Sequence, residues 1–123
     1  MSKDNIPVFL SVVIPCYNEE ANLKRGVLGE VNNYFQKQKY SWEVIISDDG
    51  STDKSKDLAE KFVKNHQGFR LLKNQHGGKP YAVWQGIKKA RGQIVLFTDM
   101  DQSTPIREIE KLLPYFKKNY EVV

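Results

Sequence analysis

Cysteine is nearly absent from this chain of 123 residues: Cys16 stands alone, so no internal disulfide can form and a reducing, cytoplasmic setting is expected. Long apolar runs are missing too. None approaches the ~18–20 residues that a membrane span needs, and the opening Met1-Ser2-Lys3-Asp4-Asn5 lacks the apolar stretch of a secretory leader. No basic block is interleaved with aromatics, which argues against nucleic acid as a partner. No repeat, low-complexity segment or linker divides the chain, so one domain is expected over residues 1–123.

What is present is ordinary for a soluble globular protein: 40% hydrophobic and 28% charged residues. Lys and Arg number 19 against 15 Asp and Glu, a net charge of +4. The lysines are scattered over several segments, as solvated helix faces require. The functional alternative is attraction to a phosphate-bearing substrate or an anionic membrane surface.

Strand and helix signals alternate. Residues 7–14 are rich in β-branched side chains and stop at Pro15, which reads as a strand. From Glu19 to about Gln36, apolar residues at Leu23, Val27, Val31, Tyr34 and Phe35 mark one face of a helix, with Asn18 as its N-cap. Gly26 and Gly29 within it suggest close packing. A second strand at 42–47 leads to Asp48-Asp49-Gly50-Ser51 and a helix with Leu58, Ala59, Phe62 and Val63 inside, closed by Gly68. A short strand at 69–72 precedes Gln75-His76-Gly77-Gly78-Lys79. The next helix carries Tyr81, Val83, Trp84 and Ile87 and is expected to end at Gly92. A buried strand at 94–97, an acidic turn and a helix from Pro105 follow, with Ile106, Ile109, Leu112, Leu113 and Phe116 inside. Residues 120–123 read as the opening of a fifth strand, so the chain is expected to be the N-terminal part of a larger protein.

Strand–helix units in series predict a mainly parallel α/β sheet flanked by helices, because a parallel pair needs a crossover of about a dozen residues. Loops after parallel strands gather at one edge, where such folds hold ligands. Here they are Pro15-Cys16-Tyr17-Asn18-Glu19, Asp48-Asp49-Gly50-Ser51, residues 75–79, and Asp99-Met100-Asp101-Gln102-Ser103. Three carry carboxylates and one is glycine-rich with a lysine. Crowded like charges repel, so the pattern calls for a cation or for donors from a ligand. Each loop alone has a plainer reading: acidic turns and caps, a flexible glycine loop without Walker A spacing, a small packing cysteine, and surface histidines at 66 and 76.

Taken in order, the run from Ser11 to Glu20, then Ser47-Asp48-Asp49-Gly50-Ser51-Thr52-Asp53, then Thr98-Asp99-Met100-Asp101 resembles the family 2 glycosyltransferases of the GT-A fold. Gly78-Lys79-Pro80-Tyr81-Ala82-Val83 together with residues 101–106 is most similar to the branch that acts on polyprenyl phosphates, of the dolichyl-phosphate glucosyl- and mannosyltransferase type. The resemblance covers roughly residues 8–123. It implies the Rossmann-like nucleotide-binding part of a GT-A fold, a UDP- or GDP-sugar donor, Mg²⁺ or Mn²⁺, a lipid-phosphate acceptor, and peripheral association with the cytosolic face of a membrane.

By position, the resemblance places Tyr17 beside the nucleobase with Pro15 and Glu19 shaping its pocket, and Asp48 accepting from the base above Ile46. Asp99 falls near the ribose and the metal, Asp101 on the metal, and Met100 between them in the nucleotide-sugar site, with Asp99 and Asp101 as metal ligands. Ser103 falls beside the diphosphate, and Lys79 is a candidate for added positive charge there. The chain departs from the family pattern at Trp84, where arginine is frequent, and at Pro80, where glycine is frequent. The resemblance puts the acceptor site and the catalytic base beyond residue 123. Two rivals are a nucleotide-binding fragment without turnover and a receiver-like signalling domain. Receivers set their acidic pair after the first strand, where this chain has Pro15-Cys16-Tyr17.

Overall fold

The computed structural model describes residues 7–102 and 105–117, and of 115–117 the backbone alone. Its elements run β1 (Val8–Cys16), α1 (Glu20–Lys24), α2 (Val27–Gln36), β2 (Trp42–Asp48), α3 (Ser55–Asn65), β3 (Phe69–Lys73), α4 (Lys79–Lys89) and β4 (Gly92–Phe97). A 3₁₀ turn at Ile106–Glu108 then leads into α5 (Ile109–Lys117). The four strands form one sheet in the order β3-β2-β1-β4, and every pairing is parallel, as expected. The registers Cys16↔Asp48 and Asp48↔Lys73 bring the carboxyl ends of three strands level.

Chain direction across the sheet reverses once. The path steps from β1 outward to β2 and β3, and α4 then carries it back over β2 and β1 to β4. The loops after β1 and β4 therefore diverge and leave a crevice between them, the usual ligand position in an open parallel sheet.

Strand alternation divides the core. Leu10, Val12, Ile14, Val44 and Ile46 join Val27, Leu28, Val31 and Phe35 of α2 and Ala59 of α3 in one cluster, all buried. Each such side chain contributes ~1.5–3 kcal/mol by leaving water. The intervening residues face α4, whose buried positions are Ala82 and Gly86, not its large apolar residues. A Cβ at Gly86 would lie 2.4 Å from Val13 Cγ1, so helix and sheet meet with nothing between them. Trp84 is 57% exposed, and Tyr81 and Ile87 are exposed as well. Most of the large apolar residues of this helix thus lie on its outer face.

Other expectations shift for similar local reasons. The helix drawn from 19 to 36 breaks at Gly26, which adopts φ +92°, a conformation open chiefly to glycine. Nothing lies within 4 Å of a Cβ at Gly26 or Gly29, so close packing explains neither, and nothing in the structure explains Gly29. Gly92 opens β4 instead of ending α4, because a Cβ there would meet the Ser11 backbone at 2.6 Å. Phe97, expected to be buried, is 56% exposed, since β4 pairs only with β1 among the described residues. Leu112 is also exposed, and Pro105 precedes the 3₁₀ turn as its cap in place of starting a helix. The expected strand at 120–123 and Phe116's side chain lie outside what is described.

At the amino ends of the strands, Glu43 is buried and held from three elements. Ser11 Oγ donates to it at 2.6 Å, the Arg91 backbone N–H at 2.7 Å, and Arg70 Nη2 lies at 2.9 Å. Burial pushes its pKa up. The Ser11 hydroxyl, the Arg91 N–H and the charges of Arg70 and Arg91 outweigh that and hold it below the usual carboxylate range.

Candidate functional site

At the opposite, carboxyl edge lies a cavity of about 380 Å³, within the range of small-molecule sites. All four loops named from the sequence reach it. The first supplies Pro15, Cys16, Tyr17 and Glu19, and the second Asp49. The third supplies His76, Gly78 and Lys79 with Ala82 of α4, and the last Asp99, Met100 and Asp101.

Tyr17 is 43% exposed and stacks on His76, with ring centroids 4.6 Å apart and planes 29° from parallel. His76 Nδ1 in turn lies 2.9 Å from Asp49 Oδ2. The Asp49 carboxylate is nearly enclosed and also accepts the backbone N–H groups of Gly77 (2.8 Å) and Gly78 (3.0 Å). It thereby ties the glycine loop and the start of α4 to β2. Gly50 is needed beneath this contact: it adopts φ +75°, and a Cβ there would sit 2.8 Å from the His76 backbone N.

Asp48 points elsewhere. It shares its strand face with Val44 and Ile46 and is fully buried. Its carboxylate accepts from Gly50 N–H and Ser51 N–H, both at 3.0 Å, and from the Ser51 hydroxyl at 2.6 Å. Asp48 thus closes its own turn, and neither it nor Ile46 lines the cavity. The carboxylate expected there from the second loop is that of the next residue, Asp49. Strand periodicity holds the signal: Asp48 continues β2 with its side chain inward, and Asp49 is the first residue to leave it.

Asn18 does not cap its own helix. It takes φ +51°, and its side-chain oxygen accepts the backbone N–H of Thr52 at 2.8 Å. Ser51 Oγ accepts the Asn18 N–H, Ser55 Oγ the Glu19 N–H at 2.7 Å, and Asp53 the Glu20 N–H. The first two loops are therefore clasped to one another. Burial raises the Asp53 pKa, but the Ser55 hydroxyl and the backbone N–H groups prevail and hold it low.

Beneath them, burial first and the negative charges of Asp48 and Glu19 next push the Cys16 thiol up to about 12. It is a packing residue with no nucleophilic character at neutral pH.

The acidic turn extends the sheet by one bond, from Thr98 N–H to the Val13 carbonyl at 3.0 Å. It is closed by Gln102, whose backbone N–H (3.1 Å) and side-chain amide (2.8 Å) both donate to the Asp99 carbonyl. Met100 is buried against the core and anchors the turn, leaving the carboxylates of Asp99 and Asp101 on either side of it in the sequence. Lys79 Nζ pairs with Asp99, while Arg25 donates to the Asp101 carbonyl at 3.4 Å. Ser103 lies outside the described residues.

Four carboxylates thus share a cavity with one lysine. No three His, Cys, Asp or Glu side chains come together as a closed metal site among the described residues. Two oxygen donors on one turn beside an open cavity suit a hard divalent ion that draws its remaining ligands from phosphate and water. The site therefore fits Mg²⁺ or Mn²⁺ only together with a phosphate-bearing ligand. No described helix is long and apolar enough to cross a membrane.

Residues 11–123 match the family described as Glycosyl transferase family 2. The dolichyl-phosphate beta-glucosyltransferase of Saccharomyces cerevisiae is 39% identical over 94% of this chain and 36% of its own length. The undecaprenyl-phosphate 4-deoxy-4-formamido-L-arabinose transferase of Pectobacterium atrosepticum is 34% identical over 93% of this chain and 35% of its own. Among solved structures, a mannosyltransferase from Pyrobaculum calidifontis in complex with GDP-Man and Mn²⁺ superposes with a TM-score of 0.66. It is 25% identical over 85% of this chain and 30% of that one. The chain spans about a third of the length of these relatives.

Proposed function

This chain belongs to glycosyl transferase family 2 and carries the Rossmann-like part of a GT-A fold, and on that premise we propose that it binds the nucleotide-sugar donor of a glycosyltransferase. The protein transfers a hexose from a UDP- or GDP-sugar to a polyprenyl phosphate. The observation that carries this is the shared cavity. An exposed aromatic face, the carboxylate pair at Asp99 and Asp101, and a lysine at the start of a helix meet at the point where the sheet reverses direction.

In this reading Tyr17, flanked by Pro15 and Glu19, offers its ring to the nucleobase. Asp49 holds the glycine loop and His76 in place at the wall of the same cavity. Asp99 and Asp101 hold the divalent ion, whose chemistry is to offset the charge that grows on the departing diphosphate. Lys79, at the start of α4, adds positive charge that favours the same anion. The polyprenyl-phosphate acceptor is supported by the relatives of that type.

The test is calorimetric. Asp101→Ala is expected to abolish Mn²⁺-dependent binding of UDP or GDP, and unchanged binding would overturn the metal role.

A second reading is favoured by the share of its relatives that this chain spans: on its own it binds donor and does not turn over. Sugar transfer by the 123-residue chain alone would refute that reading.

A further inference from the structure

We propose that Lys79 is an exchangeable counter-ion. It neutralises Asp99 while the cavity is without donor, and it passes to the donor's diphosphate when the divalent ion takes the carboxylate. The inference rests on the nucleotide-sugar reading above.

Its basis is the Lys79–Asp99 ion pair. The ammonium group of the first residue of α4 sits on one of only two carboxylates suited to the metal. Both side chains remain about half exposed, at 55% and 47%, so the pair is easily parted and costs little to exchange. The backbone carrying Lys79 is fixed, because the Gly77 and Gly78 N–H groups are bound to Asp49. The long side chain swings from a stationary base while the loop keeps its place. Glu43 shows the contrasting case: its charge is answered by Ser11, Arg70 and Arg91 in a buried cluster, where exchange would be costly.

The energetic logic is mutual exclusion followed by handover. A dication alone must displace an ammonium from Asp99, so it binds weakly. A diphosphate gives that ammonium another anion, which frees the carboxylate. Metal and nucleotide then favour one another, and the coupling is reciprocal. Lys79 contributes to it with opposite signs: against the metal alone, and in favour of the diphosphate.

Mn²⁺ binding is followed by electron paramagnetic resonance at low salt, with and without UDP or GDP, for the wild type, Lys79→Met and Lys79→Arg. Lys79→Met is expected to bind Mn²⁺ alone about threefold more tightly, as an exposed pair permits. It is expected to bind the nucleoside diphosphate in saturating Mn²⁺ several-fold more weakly. Lys79→Arg keeps wild-type behaviour in both. Unchanged or weaker binding of Mn²⁺ alone by Lys79→Met would overturn the competition. If Mn²⁺ alone tightens as expected but neither UDP nor GDP binds any of the three proteins, the donor-site reading fails and the handover falls with it.

Discussion

The two ends of the sheet use the same functional group in opposite ways. At the amino end, the Glu43 carboxylate is buried and its charge is answered from within by a hydroxyl, a backbone N–H and two guanidinium groups. At the carboxyl end, the acidic turn is closed by Gln102 on the Asp99 carbonyl, while the Asp99 carboxylate meets one exposed lysine. A buried charge answered from within serves stability and is closed to a ligand. An exposed, lightly answered one contributes little to stability and keeps its lone pairs for a ligand. The difference separates scaffold from site without reference to any relative.

Mutation tests this division most directly at Glu43. Glu43→Ala removes the partner of Ser11 and both arginines and is expected to cost about 2–3 kcal/mol in urea unfolding. Because Glu43 lies at the far end of the strands, nucleotide binding by the folded fraction should be unchanged. A loss below 0.5 kcal/mol would show that the cluster is not the scaffold element described.

The acid limb sharpens the same point. The folded-state pKa of Glu43 is depressed, so its contribution is fully present above the unfolded value of about 4.3. It is lost as pH falls through the lower folded value. Glu43→Gln should therefore flatten the decline of stability below about pH 4 while leaving its slope near neutrality unchanged. Denaturant midpoints measured from pH 2.5 to 7 would detect this, and an identical acid slope in the variant would contradict it.

The smallest expected effect is at the other end. The double change Asp99→Asn with Asp101→Asn should alter stability by less than about 0.5 kcal/mol, as for exposed charges generally. A large destabilisation there would abolish the contrast between the two ends.

Much of this arrangement was legible in the residues themselves. The parallel alternation follows from β-branched runs separated by periodic helices, and four ordered loops foretold a shared edge. What the residues did not reveal has a physical cause in each case. In α4 the large apolar residues stand mostly outside, because a helix lying directly on β1 needs small residues, and Ala82 and Gly86 supply them. Asp48 and Asp49 are chemically alike, and only the end of the strand decides which one turns inward. Asn18 has the composition of a cap, yet its partners lie 34 and 35 residues ahead in another loop, where local pattern carries no information. His76 is a surface residue as expected, but its stacking partner and its carboxylate come from two other loops, which local pattern does not reveal.

The solitary thiol beneath the cavity has a practical consequence. Burial holds the Cys16 thiol well above the usual cysteine range, so it stays protonated at pH 8, and the side chain is shielded from solvent. An alkylating reagent can therefore reach it only when the end of β1 parts from its neighbours. With a single cysteine in the sequence, the labelling rate is a clock for the opening of the strand on which the site is built. Ligands that hold the surrounding loops together should slow that clock in proportion to how tightly they bind.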